Sequence, residues 1–331
     1  MSSTLTLPTK PLSLGGKARG FYSAYVVVDF TVCLQKGKAL GYLTKEEVAG
    51  TAHLSSRKAA AVLGVGKSTV NNYRKLYATP EIDLPNAKIL TLDIESKPHK
   101  VYTWDLWQPT IGMNQIIEDG GMICFAAKWL GKPEVEFYSD FEHGHRVMVQ
   151  KAHEMLSEAD LVVTYNGDRY DIKRLNNEFL RQKMGPPKPY QSIDIYKQNK
   201  KNFDFPSKKL DYLAQLTGSG GKVKHQGFDL WVSCMEGDPE AWALMEEYNK
   251  GDVIITEKTY ISLLPWLSNV PHIGMFTGDG DACPYCGSVD LTYSGTTSLK
   301  IQSYDLWHCE NCEGYSRGNK PLGTVLKTRI A

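Results

Sequence analysis

Apolar positions between residues 87 and 264 follow two alternating periods. "AKILTLDIE", "HKVYTWDLW", "GMICFAAKWL" and "VEFYS" are short runs of apolar, β-branched and aromatic residues and predict strands, the first two as a pair. "RVMVQKAHEMLSEA", "DIKRLNNEFLRQKM", "KKLDYLAQLTG" and "PEAWALMEEYNKGDVIITEKTYISLL" predict helices, with "DLVVTYN" a strand between the first two. A few antiparallel strands followed by βα units predict an α/β domain over 87–264, a mixed sheet flanked by helices.

The flanks read differently. Residues 1–40 contain the apolar run "AYVVVDFTVCL" but no motif, and form a leader of unspecified structure. Within 41–79, "SSRKAAAVLGVGKSTVNNYRKLY" predicts a helix capped by Ser55 or Ser56, a break at Gly64 and a second helix from Lys67 or Ser68. Ala60 is small where two helices would cross, and Val70 would anchor the second. The pattern resembles the helix-turn-helix of resolvases and phage regulators. Its second helix would offer Lys67, Ser68, Thr69, Asn71, Asn72 and Arg74 to phosphates and base edges. A plain helical hairpin fits the same residues. Residues 80–86 read as a linker, 265–282 as a second linker, and 283–331 as a last small unit.

A length of 331 residues suits two or three domains. No apolar stretch is long enough to span a membrane, and the N-terminus lacks the layout of a signal peptide. The expectation is a cytoplasmic protein with reduced thiols and no membrane partner. Charge is uneven: residues 1–79 hold 11 Lys and Arg against 3 Asp and Glu, and the remainder holds 27 against 34. A basic head suits nucleic acid, and an acidic body suits a metal-loaded site.

The body supplies candidate ligands. Asp93 and Glu95 stand at i and i+2 of a predicted strand and so share a face. Two carboxylates this close repel unless a cation sits between them, and hard oxygen ligands suit Mg²⁺ or Mn²⁺. In "LVVTYNGDRYDIKRL" a strand ends at Asn166-Gly167 and a helix restarts near Asp171, at the rim where open α/β sheets keep ligands. Asp168 is a rival there, as a helix cap. Tyr248 and Asp252 are four apart on a predicted helix and share a face, so the phenol can orient and help deprotonate a water beside a metal-bound carboxylate. Asp105, Asp194 and Asp211 lie in the same domain without a motif. Trp104, Trp107 and Phe203 are aromatics that could stack on bases, though packed aromatics are commoner.

D-x-E on the first strand, N-G-x-x-Y-D after a later strand and Y-x-x-x-D on a late helix resemble, in order and spacing, the three motifs of the DEDD (DnaQ-like) 3′–5′ exonuclease superfamily. Glu247, not a histidine, precedes Tyr248, which is the tyrosine-type branch. "GMICFAAKWLG", "SIDIY" and "GDPEAWALMEEYNKGDV" look similar to exonucleases carried by phages and related to the proofreading domain of family B polymerases. The resemblance covers 87–264 and implies a ribonuclease H-like fold. It implies that Asp93, Glu95, Asp171 and Asp252 hold two Mg²⁺ or Mn²⁺, with Asp93 bridging both. Glu95 and Asp252 would bind the ion that activates water, Asp171 would support the ion facing the leaving 3′-oxygen, and Tyr248 would position the water. The implied partners are DNA, single-stranded or at 3′ ends, and a polymerase or other replication protein.

Cys283-x₂-Cys286 and Cys309-x₂-Cys312 are separated by 22 residues, with Gly287 and Gly314 just past each pair. Four thiolates in two knuckles suit one closed, structural Zn²⁺. The unit resembles a zinc ribbon, small enough that metal must supplement its core. The expectation is that the nuclease domain works without it on short oligonucleotides. The function expected from all three parts is a phage-encoded, metal-dependent 3′–5′ exonuclease acting on DNA in replication, repair or recombination. Two alternatives stay open: the substrate is RNA, or the chain is a catalytically silent nucleic-acid-binding or recruitment module.

Overall fold

The computed structural model describes residues 48, 50, 51, 53–65, 67, 70, 87–107 and 110–323. The chain divides into two compact units, Met1–Asn71 and Asn72–Ala331.

In the first unit, α1 (Ser56–Leu63) begins at an extended Ser55 whose hydroxyl accepts the Lys58 N–H at 3.4 Å. It ends at Gly64. Ala59, Ala60 and Val70 are buried together, with Leu54, Leu63 and Val65 packed around them. Of the candidate DNA-contact residues Lys67 is exposed, while Ser68, Thr69, Asn71, Asn72 and Arg74 lie outside the described residues.

The second unit is built on a five-stranded mixed sheet in the order β5-β4-β1-β6-β7. Its strands are β1 (Ile89–Lys97), β4 (Gly121–Trp129), β5 (Glu136–Ser139), β6 (Leu161–Thr164) and β7 (Gln191–Asp194). β1 runs antiparallel to β4 and parallel to β6, so both its edges are taken. "HKVYTWDLW" therefore does not pair with β1. Only β2 (Lys100–Val101) forms there, against β3 (Ile116–Glu118), as a separate two-stranded hairpin.

The period-two alternation of β1 sorts its side chains. Leu90, Leu92 and Ile94 enter one core with α2 (His145–Glu158) and α3 (Asp171–Arg181), among Met148, Leu156, Leu175 and Phe179. Ile89 enters the opposite core with Tyr260 and Ile261 of α7 (Pro239–Leu263). Asp93 and Glu95 share the parity of Ile89 and so face α7. Between α3 and α7 lie α4 (Ile195–Asn202), α5 (Leu210–Leu216) and α6 (Phe228–Met235).

α7 starts at Asp238, whose carboxylate accepts the Glu240 N–H at 3.0 Å, with Pro239 in the first turn where no N–H is needed. It runs 25 residues, about 37 Å, across the sheet. Lys128 of β4 meets Glu257 of α7 at 2.6 Å, both largely buried. Glu257→Ala would leave the Lys128 ammonium buried and alone, so it should cost about 3 kcal/mol or more in a urea melt. A loss under about 1 kcal/mol would mean that water replaces the carboxylate.

After α7, residues 265–282 hold a 3₁₀ turn, a short helix α8 (Gly274–Thr277) and buried Leu267, Ile273 and Ala282. A three-stranded antiparallel sheet follows, in the order β10-β9-β8, from β8 (Leu291–Ser298), β9 (Ser303–Cys309) and β10 (Tyr315–Leu322). Among the described residues, no helix is long and apolar enough to cross a membrane.

Candidate active site and metal centres

Carboxylate oxygens of Asp93, Glu95 and Asp252 all lie within 4.8 Å of one another. β1 delivers the first two and α7 the third. Across the sheet Asp93 stands opposite Ala126 and Glu95 opposite Cys124, and these small neighbours leave room over the strand. A register shift follows Glu95 at once, ending the regular ladder beside the carboxylates.

Asp171 takes a different position. It is outside that three-carboxylate group, and its Oδ1 accepts the Ile94 N–H at 3.0 Å. β6 pairs with β1 only as far as Thr91, so Ile94 lies past the ladder and Asp171 satisfies its amide. The turn before α3 needs Asn166 in a left-handed conformation (φ 68°). It also needs no side chain at Gly167, where a Cβ would sit 2.4 Å from Thr164. Asp168 binds Ser192 Oγ and Lys197 Nζ at 2.5 and 2.6 Å, away from the cluster. Asp194 accepts the amides of Asn166, Tyr196 and Lys197 and caps α4.

Tyr248 stands one turn before Asp252 on α7, and its hydroxyl and the Asp252 carboxylate meet the same Lys222 ammonium. Its ring is walled by His225 and Trp231, centroids 4.7 and 6.1 Å away. Several contacting residues carried no sequence signal. Lys222 places Nζ 2.5 Å from Asp252 Oδ2 and 3.2 Å from the Tyr248 hydroxyl. Its own amide is held by Asp211 Oδ1 at 3.0 Å, which fixes the glycine-rich segment before it. Asn249 donates to Asp93 Oδ2 at 2.7 Å, and Trp231 packs edge-on against the Tyr248 ring. The clue to Asn249 was its place beside Tyr248 and three residues before Asp252, on the inward side of α7.

Burial and mutual repulsion make these carboxylates hard to ionise. Burial, then Asp171, Glu95 and Asp252, push Asp93 well above the ordinary carboxylate range. Burial and Asp252 push Glu95 up to about 8, against the pull of Lys222. Burial lifts Asp171 to about 6. Burial raises Asp252 in spite of Lys222, and burial followed by Asp252 raises the Tyr248 phenol. The carboxylates outnumber the positive charge beside them. Buried Asp252 Oδ1 has no hydrogen-bond partner, and the Lys222 ammonium is the cation that sits against the other oxygen. The donor set is all oxygen, which fits Mg²⁺ or Mn²⁺.

The four clustered cysteines form the second group, their sulphurs within 4.8 Å of one another. Cys283 and Cys312 are 3.7 Å apart and Cys286 and Cys309 are 3.6 Å apart. A tetrahedron with metal–sulphur bonds of about 2.3 Å has edges of about 3.8 Å, so the set fits Zn²⁺ without rearrangement. Each knuckle closes on itself, through Gly287 N–H to Cys283 O and Glu313 N–H to Cys309 O, both 2.9 Å. Gly314 has no room for a side chain: a Cβ would lie 2.9 Å from Tyr285 and 3.2 Å from Cys312 Sγ. All four cysteines are buried in the cluster that holds Ile89, Leu161, Tyr260 and Ile261. The thiol site and the nuclease-like sheet thus share one core.

Among curated proteins, none is similar in sequence to this chain. One solved structure it matches is the family B DNA polymerase from the hyperthermophilic archaeon Pyrobaculum calidifontis, 16% identical with a TM-score of 0.42. That match covers 66% of this chain and 32% of the polymerase, so the chain spans about a third of that protein's length. Residues 118–264 match the model described as RNase_H superfamily, a stretch that holds Asp171, Tyr248 and Asp252 and begins after β1. With its central mixed sheet flanked by helices, the second unit has a ribonuclease H-like fold.

Proposed function

We propose that this protein is a metal-dependent 3′–5′ exonuclease that hydrolyses the phosphodiester bonds of DNA, of the tyrosine-type DEDD branch and phage-encoded. The observation that carries the reading is the convergence of Asp252, distant in sequence, with Asp93 and Glu95 around one point beside Tyr248. Asp93, Glu95 and Asp252, with Asp171 beside them, would hold two Mg²⁺ or Mn²⁺. When bound, such ions supply an activated water and neutralise charge on the departing oxygen.

The chain's own residues set the geometry. Asn249 fixes one oxygen of Asp93, and Asp171 fixes the strand between Asp93 and Glu95 by holding the Ile94 amide. Tyr248 keeps its proton, because burial and the surrounding carboxylates push its ionisation upward. It therefore orients a water as a hydrogen-bonding phenol and does not serve as the base. Lys222 balances Asp252 and steadies the Tyr248 hydroxyl. The four cysteines would hold one structural Zn²⁺ in a ribbon. Lys67 and its neighbours in the basic first unit would add phosphate contacts. The setting would be replication, repair or recombination, beside a polymerase or another replication protein.

The deciding experiment is a time course on 5′-labelled single-stranded DNA and RNA of one sequence, with Mg²⁺ or Mn²⁺. A ladder shortening from the 3′ end of DNA is expected. A ladder mainly on RNA would move the substrate to RNA, and no cleavage with either metal would leave a binding module. Tyr248→Phe in the same assay should slow turnover by about ten- to a hundredfold, with Mn²⁺ affinity by calorimetry nearly unchanged. A wild-type rate at saturating metal would remove Tyr248 from the mechanism.

A further inference from the structure

The two-stranded hairpin that leaves β1 is an arm of exposed rings. Trp104 and Trp107 are 94% and 92% exposed, and Tyr102 is 76% exposed. Phe203, by contrast, is stacked on Phe205 at 5.0 Å and packed into the core. Exposed apolar side chains in this density mark a binding surface.

The arm is an ordered structure. Lys100 pairs with Glu118 and Val101 with Ile116, and the Tyr102 amide donates to Gln115 O at 2.9 Å. The Gln115 side chain closes the tip by donating to Tyr102 O at 3.0 Å and accepting from the Gly112 N–H at 2.8 Å. At the root, Arg181 of α3 binds Asp119 at 2.6 Å, and His99 Nδ1 accepts the Gly120 N–H at 3.0 Å. The rings are therefore held out from a clamped base.

Position says what the rings meet. β1 carries Asp93 and Glu95 and runs straight into the arm, so Lys100 lies within about 17 Å of Glu95 along an extended strand. At the root opens a cleft of about 560 Å³, lined by Lys97, His99 and Lys100 and by the stacked pair Phe141 and Trp242. Another lining residue, Ile123, is next to Cys124, the partner of Glu95 across the sheet. A polymer held at the carboxylates would reach the cleft and then the rings.

We propose that Tyr102, Trp104 and Trp107, held out by the β2–β3 hairpin, form a stacking arm that binds the unpaired bases of a single-stranded nucleic acid whose end lies at Asp93 and Glu95. The proposal rests on the nuclease reading for which polymer arrives there. Every base has a face that an indole or phenol ring can cover, and only an unpaired strand presents it. Lys97 is paired with Glu118, so the positive charge at the root is partly neutralised. The arm accordingly contributes by stacking more than by phosphate charge. Its contribution should depend little on salt, unlike that of a basic groove.

The test uses the full chain with no Mg²⁺ or Mn²⁺ added, with a fluorescein-labelled oligo(dT) read by anisotropy across a salt series. Trp104→Ala/Trp107→Ala should weaken binding by about tenfold or more, with the salt slope and melting temperature unchanged. Trp104→Phe/Trp107→Phe should recover most of the affinity, and blunt duplex should compete poorly. Equal affinity of the alanine variant and the wild type overturns the arm. So does light scattering that shows a wild-type dimer and an alanine-variant monomer with unaltered oligonucleotide affinity, since the rings then join two copies. Cleavage by the wild type with Mn²⁺ is measured beside binding. Arm-dependent binding without cleavage supports the arm and retires the nuclease reading, whereas cleavage with arm-independent binding retires the arm alone.

Discussion

Asp93→Asn is expected to abolish phosphodiester cleavage and, in the same molecule, to raise the melting temperature of the metal-free protein. Activity should fall by roughly a thousandfold or more, because the residue stands at the centre of the carboxylate group. The gain in stability has a separate cause. Without metal, Asp93, Glu95, Asp171 and Asp252 repel one another across buried space, and each is harder to ionise than an ordinary carboxyl.

Glu95 shows the sign. Its ionisation in the folded protein is lifted from 4.5 to about 8, so between those values the folded state holds a proton that the unfolded chain has lost. Metal-free stability therefore falls as pH rises through that window and levels off above it. Removing the Asp93 charge relieves part of the repulsion. A rise of several degrees, larger near pH 8 than near pH 5, is the expected readout in scanning calorimetry with no Mg²⁺ or Mn²⁺ added. Mn²⁺ should stabilise the wild type and do little for the variant. A variant that melts lower than the wild type without these ions at both pH values would show that Asp93 is held by favourable contacts, such as the Asn249 amide, and not strained.

Cys283→Ser, or removal of Zn²⁺ by a chelator, is expected to destabilise the whole second unit. As a sequence, 283–331 suggests a separate ribbon whose loss leaves the nuclease domain working on short oligonucleotides. In the fold, Cys283, Cys286, Cys309 and Cys312 share a buried cluster with Ile89 of β1 and with Tyr260 and Ile261 of α7. Tyr260 is eight residues, about 12 Å, along the same helix from Asp252. Structural zinc binding of about 10 kcal/mol or more is comparable with the entire stability of a domain. Zinc content by elemental analysis, melting temperature and cleavage should fall together. A zinc-free variant whose nuclease core melts and cuts as before would restore the picture of independent parts. A wild type with no zinc would remove the ribbon altogether.

Much of the local order can be read from residues alone. Strand parity puts Asp93 and Glu95 on one face, and β1 does so, with Leu90, Leu92 and Ile94 on the other. The i, i+4 spacing puts Tyr248 and Asp252 on one face of α7, where both meet the Lys222 ammonium. Two CxxC knuckles bring four sulphurs within 4.8 Å. These features are legible because the backbone period alone dictates them over a few residues.

The rest depends on which surfaces meet. "HKVYTWDLW" has the composition of a strand, yet β4 and β6 occupy both edges of β1, so most of it stands in solvent and carries Trp104 and Trp107 outward. Asp171 reads as a direct member of a ligand set, and the fold also makes it the partner of the Ile94 amide, because β6 ends too soon to pair that residue. Lys222, Asn249 and Trp231 are not themselves motif positions and acquire their roles only from contacts across the chain. The amino-acid sequence by itself determined which face of each strand and helix is polar, and which cysteines cluster. Only the tertiary structure decided what covers each face, because hydrogen bonding and burial between distant residues follow from packing and leave no periodic mark.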